Sequence, residues 1–118
     1  IDDTVQGIVL TLDNVATSNV AWSGLKPDPS SSLAPWKIYN IGNNKPVELL
    51  YFIECLENSL GKKANKKMLP IQPGDIEKTY ADISSISMDL NYNPSTSIEI
   101  GVEKFIAWYK DYANENQL

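Results

Sequence analysis

The sequence predicts a small α/β unit of three or four short strands with about four helices, in the order helix, strand, helix, strand, strand, helix, helix. Three observations carry that prediction. Apolar residues recur at helical spacing over 1–12, 46–60 and 96–112, the mark of amphipathic helices. Short runs rich in β-branched and aromatic residues at 36–42, 65–71 and 76–81 read as strands, punctuated by Gly42, Gly61 and the Pro73-Gly74 pair. The length of 118 residues, with 42% apolar and 9% aromatic residues, suits one compact domain spanning 1–118.

Each element has its own signals. "IDDTVQGIVLTLDN" reads as a helix almost at once: Asp2 or Asp3 caps it, and Val5, Ile8, Val9 and Leu12 form one apolar stripe. A chain that opens on a helix cap reads as a piece of a longer protein. Residues 16–35 then make a long loop holding Pro27, Pro29 and Pro35, with Pro46 soon after. Loops of this length are functional or disordered, so partial disorder is expected, with Trp22 pinning the loop to the body. "WKIYNIG" is a short strand stopped by Gly42. The next helix is the clearest: Pro46 suits its first turn, Leu49, Phe52, Ile53, Leu56 and Leu60 form the buried stripe, and Gly61 ends it. Cys55 lies beside that stripe and reads as a small core residue. "NKKMLPI" is a candidate strand, followed by the turn "QPGD" and the extended run "IEKTYA". Asp82 caps a short helix that stops at Asn91. Beyond Pro94, Thr96 and Glu99 form a capping box for a long helix carrying Ile98, Val102, Phe105, Ile106, Tyr109 and Tyr112. Trp36 and Trp108 read as packing residues.

Composition removes several functions. The net charge of −5 lacks the basic field of a nucleic-acid binder. The run "KKANKK" follows a helix, where cations complement the dipole, and reads as a solvated face. With no histidine and one cysteine, a zinc site and every Ser-His or Cys-His pair are excluded. The acids show no calcium-loop spacing, so no metal is expected. No arginine is present, so the chain supplies no guanidinium fork for a phosphate. No apolar run approaches the roughly 20 residues that span a bilayer. The lone Cys55 agrees with a reducing, cytoplasmic compartment.

One turn stands out. "IQPGDIEKTYAD" places Asp75 in a Gly-Asp turn between two extended runs, and an extended 75–81 puts Asp75, Glu77, Thr79 and Ala81 on one face. On residue chemistry alone, Asp75 beside Gly74 is ordinary turn chemistry and Thr79 an ordinary strand residue.

The strings "IDDTVQGI", "YNIGNNKPVELLYFIECLENSLG", "LPIQPGDIEKTYAD" and "GVEKFIAWYKDY", in that order, resemble the C-terminal portion of NAD-dependent nucleotide-sugar epimerases, which belong to the extended short-chain dehydrogenase/reductase superfamily. The branch most similar is the UDP-glucuronate 4-epimerases of surface-polysaccharide synthesis, and the likeness runs from Ile1 to about Tyr112. The resemblance implies a small substrate-binding lobe whose Rossmann half is missing. That half would bind NAD through a Gly-rich turn and carry a Tyr-x-x-x-Lys pair. Here the six glycines are dispersed and none of the six tyrosines has a lysine four residues on. The segment is therefore expected to hold no catalytic residue and no cofactor of its own, with NAD bound outside it. By the same resemblance Asp75 accepts hydrogen bonds from the ribose hydroxyls of a UDP-sugar, a task suited to an acceptor-only carboxylate. Thr79 lines the hexose pocket. Gln72 stands where many relatives carry an arginine for the diphosphate. The resemblance further implies a homodimeric parent, and apolar surface left open without the missing lobe gives this piece a tendency to self-associate. Two rivals stay open: a sister nucleotide-sugar dehydratase or decarboxylase, and a non-catalytic binding module built from the same lobe.

Overall fold

The computed structural model describes residues 1–76 and 79–115. It holds four helices: α1 Asp2–Asp13, α2 Leu49–Leu60, α3 Ser84–Leu90 and α4 Ile98–Glu115. Among the described residues there is no strand ladder, only two isolated antiparallel bridges, Ser23–Lys26 and Ser31–Lys37. The helix count agrees with the sequence prediction, but among the described residues the three or four strands are not formed; the run expected at 76–81 lies partly outside them. An extended run becomes a strand only when a neighbour meets its N–H and C=O groups. Here the Ile38 amide donates to the Ser30 carbonyl at 2.8 Å, inside a loop rather than along a ladder. The chain divides into two compact units, Ile1–Asn44 with Tyr80–Ser95, and Lys45–Thr79 with Thr96–Leu118.

The first unit is built on Ile83, Ile86 and Tyr92, with Leu10, Tyr39, Ile41, Ala81 and Leu90 packed against them. α1 meets this core through Gly7, where an added Cβ would lie 3.1 Å from Ile41 and 3.2 Å from Tyr92. The predicted stripe of α1 therefore points elsewhere. Val5, Ile8, Val9 and Leu12 are all exposed, Leu12 by 73%. Asp2 and Asp3 fall inside the first turn rather than at the cap position, which Ile1 occupies; there they still complement the positive end of the helix dipole. α3 starts one residue later than predicted, with Ile83 rather than Asp82 at the cap position. The Asp82 carboxylate accepts from the Ser84 amide at 2.9 Å and its hydroxyl at 2.6 Å, which holds the Asp82 carboxyl below its usual range. Asn91 ends the helix in the left-handed conformation, φ 55°.

The loop after α1 is stitched around Asp28. Its carboxylate accepts from the Ser30 amide (2.8 Å) and the Ser30 and Ser31 hydroxyls (2.7 and 2.6 Å). These bonds, the Ser31 hydroxyl first, hold its pKa at about 2. Asn19 Nδ2 donates to Ser31 Oγ, and the Trp22 indole N–H to the Asp28 carbonyl at 3.2 Å. Trp22 thus pins the loop to itself. Trp36, expected to pack, is 38% exposed.

The second unit is α2 against α4. Its core is Cys55, Val102 and Ile106, joined by Leu56 and Ile98. Cys55 is the small buried residue its position predicts. The face of α2 that meets α4 is the one carrying Cys55 and Leu56, so Leu49, at the far edge of the predicted stripe, is 64% exposed. Pro46 precedes the helix and Gly61 ends it at φ 68°. Ser97, rather than Thr96, precedes α4: its hydroxyl accepts from the Ile100 amide at 3.4 Å. Glu99 instead accepts from the Tyr51 hydroxyl of α2. One partner helix covers only one stripe of α4, the i, i+4, i+8 set Ile98, Val102 and Ile106. Phe105, Trp108, Tyr109 and Tyr112 consequently stay exposed and stack on one another, with Trp108 and Tyr112 rings 5.3 Å apart. Among the described residues no helix is long and apolar enough to cross a membrane.

Candidate functional site

The segment between α2 and α3 carries Gln72, Asp75 and Thr79, and it starts from an anchor that the sequence does not advertise. Gly61 and Lys62 both donate their amides to the Glu57 carbonyl, and the left-handed Gly61 turns the chain back along the helix it has just left. That reversal wraps the "KKANKK" run around the buried carboxylate of Glu57, a residue only 5% exposed. Lys63 Nζ donates to it at 2.8 Å, Lys66 Nζ at 2.5 Å and the Ala64 amide at 3.0 Å. Half of this lysine run is therefore structural rather than a merely solvated face. Hydrogen bonds from Lys63, then Lys66 and Ala64, pull the Glu57 pKa from its ordinary 4.5 to about 2.

A depressed carboxyl pKa stabilises the fold above the ordinary value and loses that contribution as pH falls towards the folded one. Glu57→Gln is accordingly expected to lower the urea midpoint at neutral pH. The gap from the parent should close between pH 4.5 and about 2. Urea titrations across that window check it; a gap independent of pH would detach the effect from the Glu57 charge.

Beyond the anchor, residues 67–76 are exposed and outside regular secondary structure. An apolar groove of about 580 Å³, floored by Leu49, Ile53, Leu56 and Leu60, lies between α2 and residues 62–69 and stops short of Gln72. The next ordered feature is a tight turn: the Asp75 amide donates to the Gln72 carbonyl at 3.1 Å. Pro73 fixes φ at the second position and Gly74 takes φ 96° at the third, which a side chain adopts only under strain. Gln72 and Asp75 are thereby brought onto one four-residue turn, with both residues exposed. Thr79 is also exposed, four residues beyond Asp75. Glu77, which completes the predicted face, lies outside the described residues.

Among the described residues no helix start is arranged to hold a dinucleotide pyrophosphate. Such a site needs free amides and an approach without negative charge. Instead α1 opens with Asp2 and Asp3, Glu48 precedes α2, Asp82 accepts from the first amide of α3, and Glu99 lies in the first turn of α4. Among the described residues no cluster of three or more His, Cys, Asp or Glu side chains is placed to hold a metal ion.

No family model matches the chain. Individual relatives do. Protein CapI of Staphylococcus aureus is 47% identical over 112 residues, 95% of this chain and 34% of CapI. UDP-glucuronate 4-epimerase 5 of Arabidopsis thaliana is 37% identical over 113 residues, 95% of this chain and 25% of that enzyme. Among solved structures, a mutant UDP-glucuronic acid 4-epimerase from Bacillus cereus, in complex with UDP-4-deoxy-4-fluoro-glucuronic acid and NAD, superposes with a TM-score of 0.67. It is 31% identical, over 94% of this chain and 30% of that one. The chain thus spans about a third or less of the length of these relatives. By sequence and by structure, the chain matches the C-terminal portion of the UDP-glucuronate 4-epimerases.

Proposed function

We propose that the chain is the UDP-sugar-recognising part of an NAD-dependent UDP-glucuronate 4-epimerase. The observation that carries this reading is the agreement between the fold and the NAD- and UDP-sugar-bound Bacillus cereus enzyme over 94% of the chain. In the parent reaction the sugar C4 hydride passes to NAD, the 4-keto sugar turns over, and the hydride returns to the opposite face. NAD supplies the redox chemistry, and its contacts come from outside this segment, since no helix start here suits a pyrophosphate. What this chain contributes is recognition. The Pro73-Gly74 turn presents the Asp75 carboxylate as a preorganised acceptor for a pair of ribose hydroxyls. Gln72, on the same turn, offers an uncharged amide to the diphosphate. With a net charge of −5 and no arginine, the cations that neutralise the phosphates stand elsewhere in the parent. Thr79 faces the hexose and sets how much room it has.

The exposed surfaces support a role within a larger enzyme. Apolar patches of this kind mark contact surfaces, and here Val5, Ile8, Val9 and Leu12 of α1 and the aromatic stack of α4 lie open. We assign them to the NAD-binding part, whose strands also pair with the extended runs at 36–42 and 65–71. The parent acts as a homodimer in surface-polysaccharide synthesis, in a cytoplasmic setting where buried Cys55 stays reduced.

Two variants of the full-length enzyme test the reading. Asp75→Ala removes hydrogen bonds to a charged acceptor and is expected to raise KM for UDP-glucuronate about 10-fold or more. Thr79→Tyr fills the hexose pocket and lowers kcat/KM for the hexuronate more than for a smaller pentose nucleotide. Unchanged KM in the first variant, with equal losses for both sugars in the second, would leave Asp75 a turn residue and Thr79 a spacer.

A further inference from the structure

Pro73 and Gly74 shape the turn that bears Asp75, but where that turn stands on its own unit is a separate matter. The buried carboxylate of Glu57 bears on it. Glu57, its lysines and the turn belong to one compact unit, Lys45–Thr79 with Thr96–Leu118, and every residue from Glu57 to Asp75 is described. Lys63 Nζ donates to Oε2 of Glu57, while Lys66 Nζ and the Ala64 amide share Oε1. The Glu57 side chain is 4% exposed, and a carboxylate so far from water is stable only with its donors in place. Lys66 is the more enclosed partner, 37% exposed against 78% for Lys63, and an ion pair weighs more as solvent leaves it. Lys66 is also the last hold before the turn. Among the described residues none of 67–71 makes a hydrogen bond, and the next along the chain is the turn's own, from the Asp75 amide to the Gln72 carbonyl.

The stretch between Lys66 and the turn can carry that hold forward. Pro70 and Pro73 fix their own φ and push Leu69 and Gln72, the residues before them, to extended angles. Four of the seven residues 67–73 thus have restricted backbones. Met68 and Leu69 also line the groove floored by Leu49, Ile53, Leu56 and Leu60, so the stretch runs alongside α2. A flexible stretch would absorb a shift at Lys66; a stiff one passes it on.

We propose that Glu57 is a positioning residue for substrate: by holding Lys66 it sets where the Gln72–Asp75 turn offers its carboxylate to the ribose. This rests on the reading of Asp75 as the ribose acceptor. It adds to that reading a residue of α2 that acts through the lysine run and touches no ligand. The ribose is separated from the reacting sugar carbon by the diphosphate. Binding lost there is lost alike from ground state and transition state, which raises KM and leaves kcat alone.

The test is a set of variants of the full-length enzyme. Glu57→Gln replaces an accepting oxygen by a donor; Lys66→Met removes one donor and leaves Glu57 with Lys63 and Ala64. Each is expected to raise KM for UDP-glucuronate about 3- to 10-fold with kcat within about 2-fold, and to weaken inhibition by UDP by the same factor. The two variants change charge in opposite senses. A field effect on an anionic substrate would move KM in opposite directions, whereas misplacement raises it in both. Lys67→Met, one residue on and outside the bonds to Glu57, keeps the parent's KM. With Asp75→Ala in place, Lys66→Met adds no more than about 2-fold, because the contact through which it acts has gone. Parent-like KM in folded Glu57→Gln and Lys66→Met enzymes overturns the proposal. So do shifts of opposite sign, an equal rise in Lys67→Met, or full additivity with Asp75→Ala. If Glu57→Gln does not fold, Lys66→Met decides by the same comparisons with Lys67→Met and Asp75→Ala. If Asp75→Ala alone leaves KM unchanged, the ribose reading fails and takes this inference with it. If Asp75→Ala acts and Lys66→Met does not, only the positioning role falls.

Discussion

Mixed with NAD and UDP-glucuronate, the pure 118-residue chain is expected to yield no UDP-galacturonate and to bind no NAD. Epimerisation needs a group that takes the proton from the sugar hydroxyl as hydride leaves, and a tyrosine does so only when its pKa is lowered by a cation. Tyr39, Tyr51 and Tyr92 are biased the other way. Tyr39 has a lysine at hand, with Lys37 Nζ 5.8 Å from its ring centroid. Yet its hydroxyl donates to Asp89 at 2.9 Å; desolvation and that carboxylate push its pKa up to about 12. Tyr51 is bound to Glu99 and is likewise raised to about 12. Both are held protonated, the opposite of a general base. With acids at all four helix starts, a dinucleotide finds no amide cradle either. UDP-sugar affinity should be weak, with Kd no tighter than about 1 mM, roughly −4 kcal/mol, because one carboxylate and a few neutral groups cannot neutralise a diphosphate. Chromatography of the nucleotide sugars and titration calorimetry with NAD check the two halves. Product formed by the pure chain, or NAD bound by it, would remove the assignment to a recognition segment.

The features legible in advance are those decided by neighbours along the chain. Gly61 and Asn91 stop their helices in the left-handed conformation, and Asp82 binds the first residue of α3, because each acts within a few residues of itself. The Gln72–Asp75 turn is likewise dictated by Pro73 and Gly74. What failed depended on distant partners. Periodicity says that one face of α1 or α4 is apolar, but not what covers it, so Val5, Leu12, Phe105 and Tyr112 read as core and are exposed. The runs at 36–42 and 65–71 have strand composition, yet a ladder needs a second edge, and none is present among the described residues. The Glu57 anchor was invisible for a related reason. Lys63 and Lys66 reach that carboxylate only because Gly61 reverses the chain, and spacings of six and nine residues belong to no helical or strand rule. The proposed site was legible as a turn with an acidic residue; the role proposed for it came from resemblance. The close approach of Gly42 to Ala81, 39 residues apart in sequence, had no local signal at all.

Ile86→Ala is expected to destabilise the chain by about 3 kcal/mol, the loss typical of a buried isoleucine truncated to alanine. Ile86 is 0% exposed and central to the cluster it forms with Ile83 and Tyr92. α3 is only seven residues long, too short to persist on propensity, so its existence depends on that packing and on its two caps. The unit around it holds roughly 60 residues, which at about 0.05–0.15 kcal/mol per residue gives only about 3–9 kcal/mol of stability. One side chain therefore carries a third or more of what keeps the unit folded. Met88, two residues along α3 and 75% exposed, supplies the control, since Met88→Ala should change stability by no more than about 0.5 kcal/mol. Urea unfolding followed by far-UV circular dichroism separates the two. Comparable losses in both variants would mean that α3 is held by its caps alone.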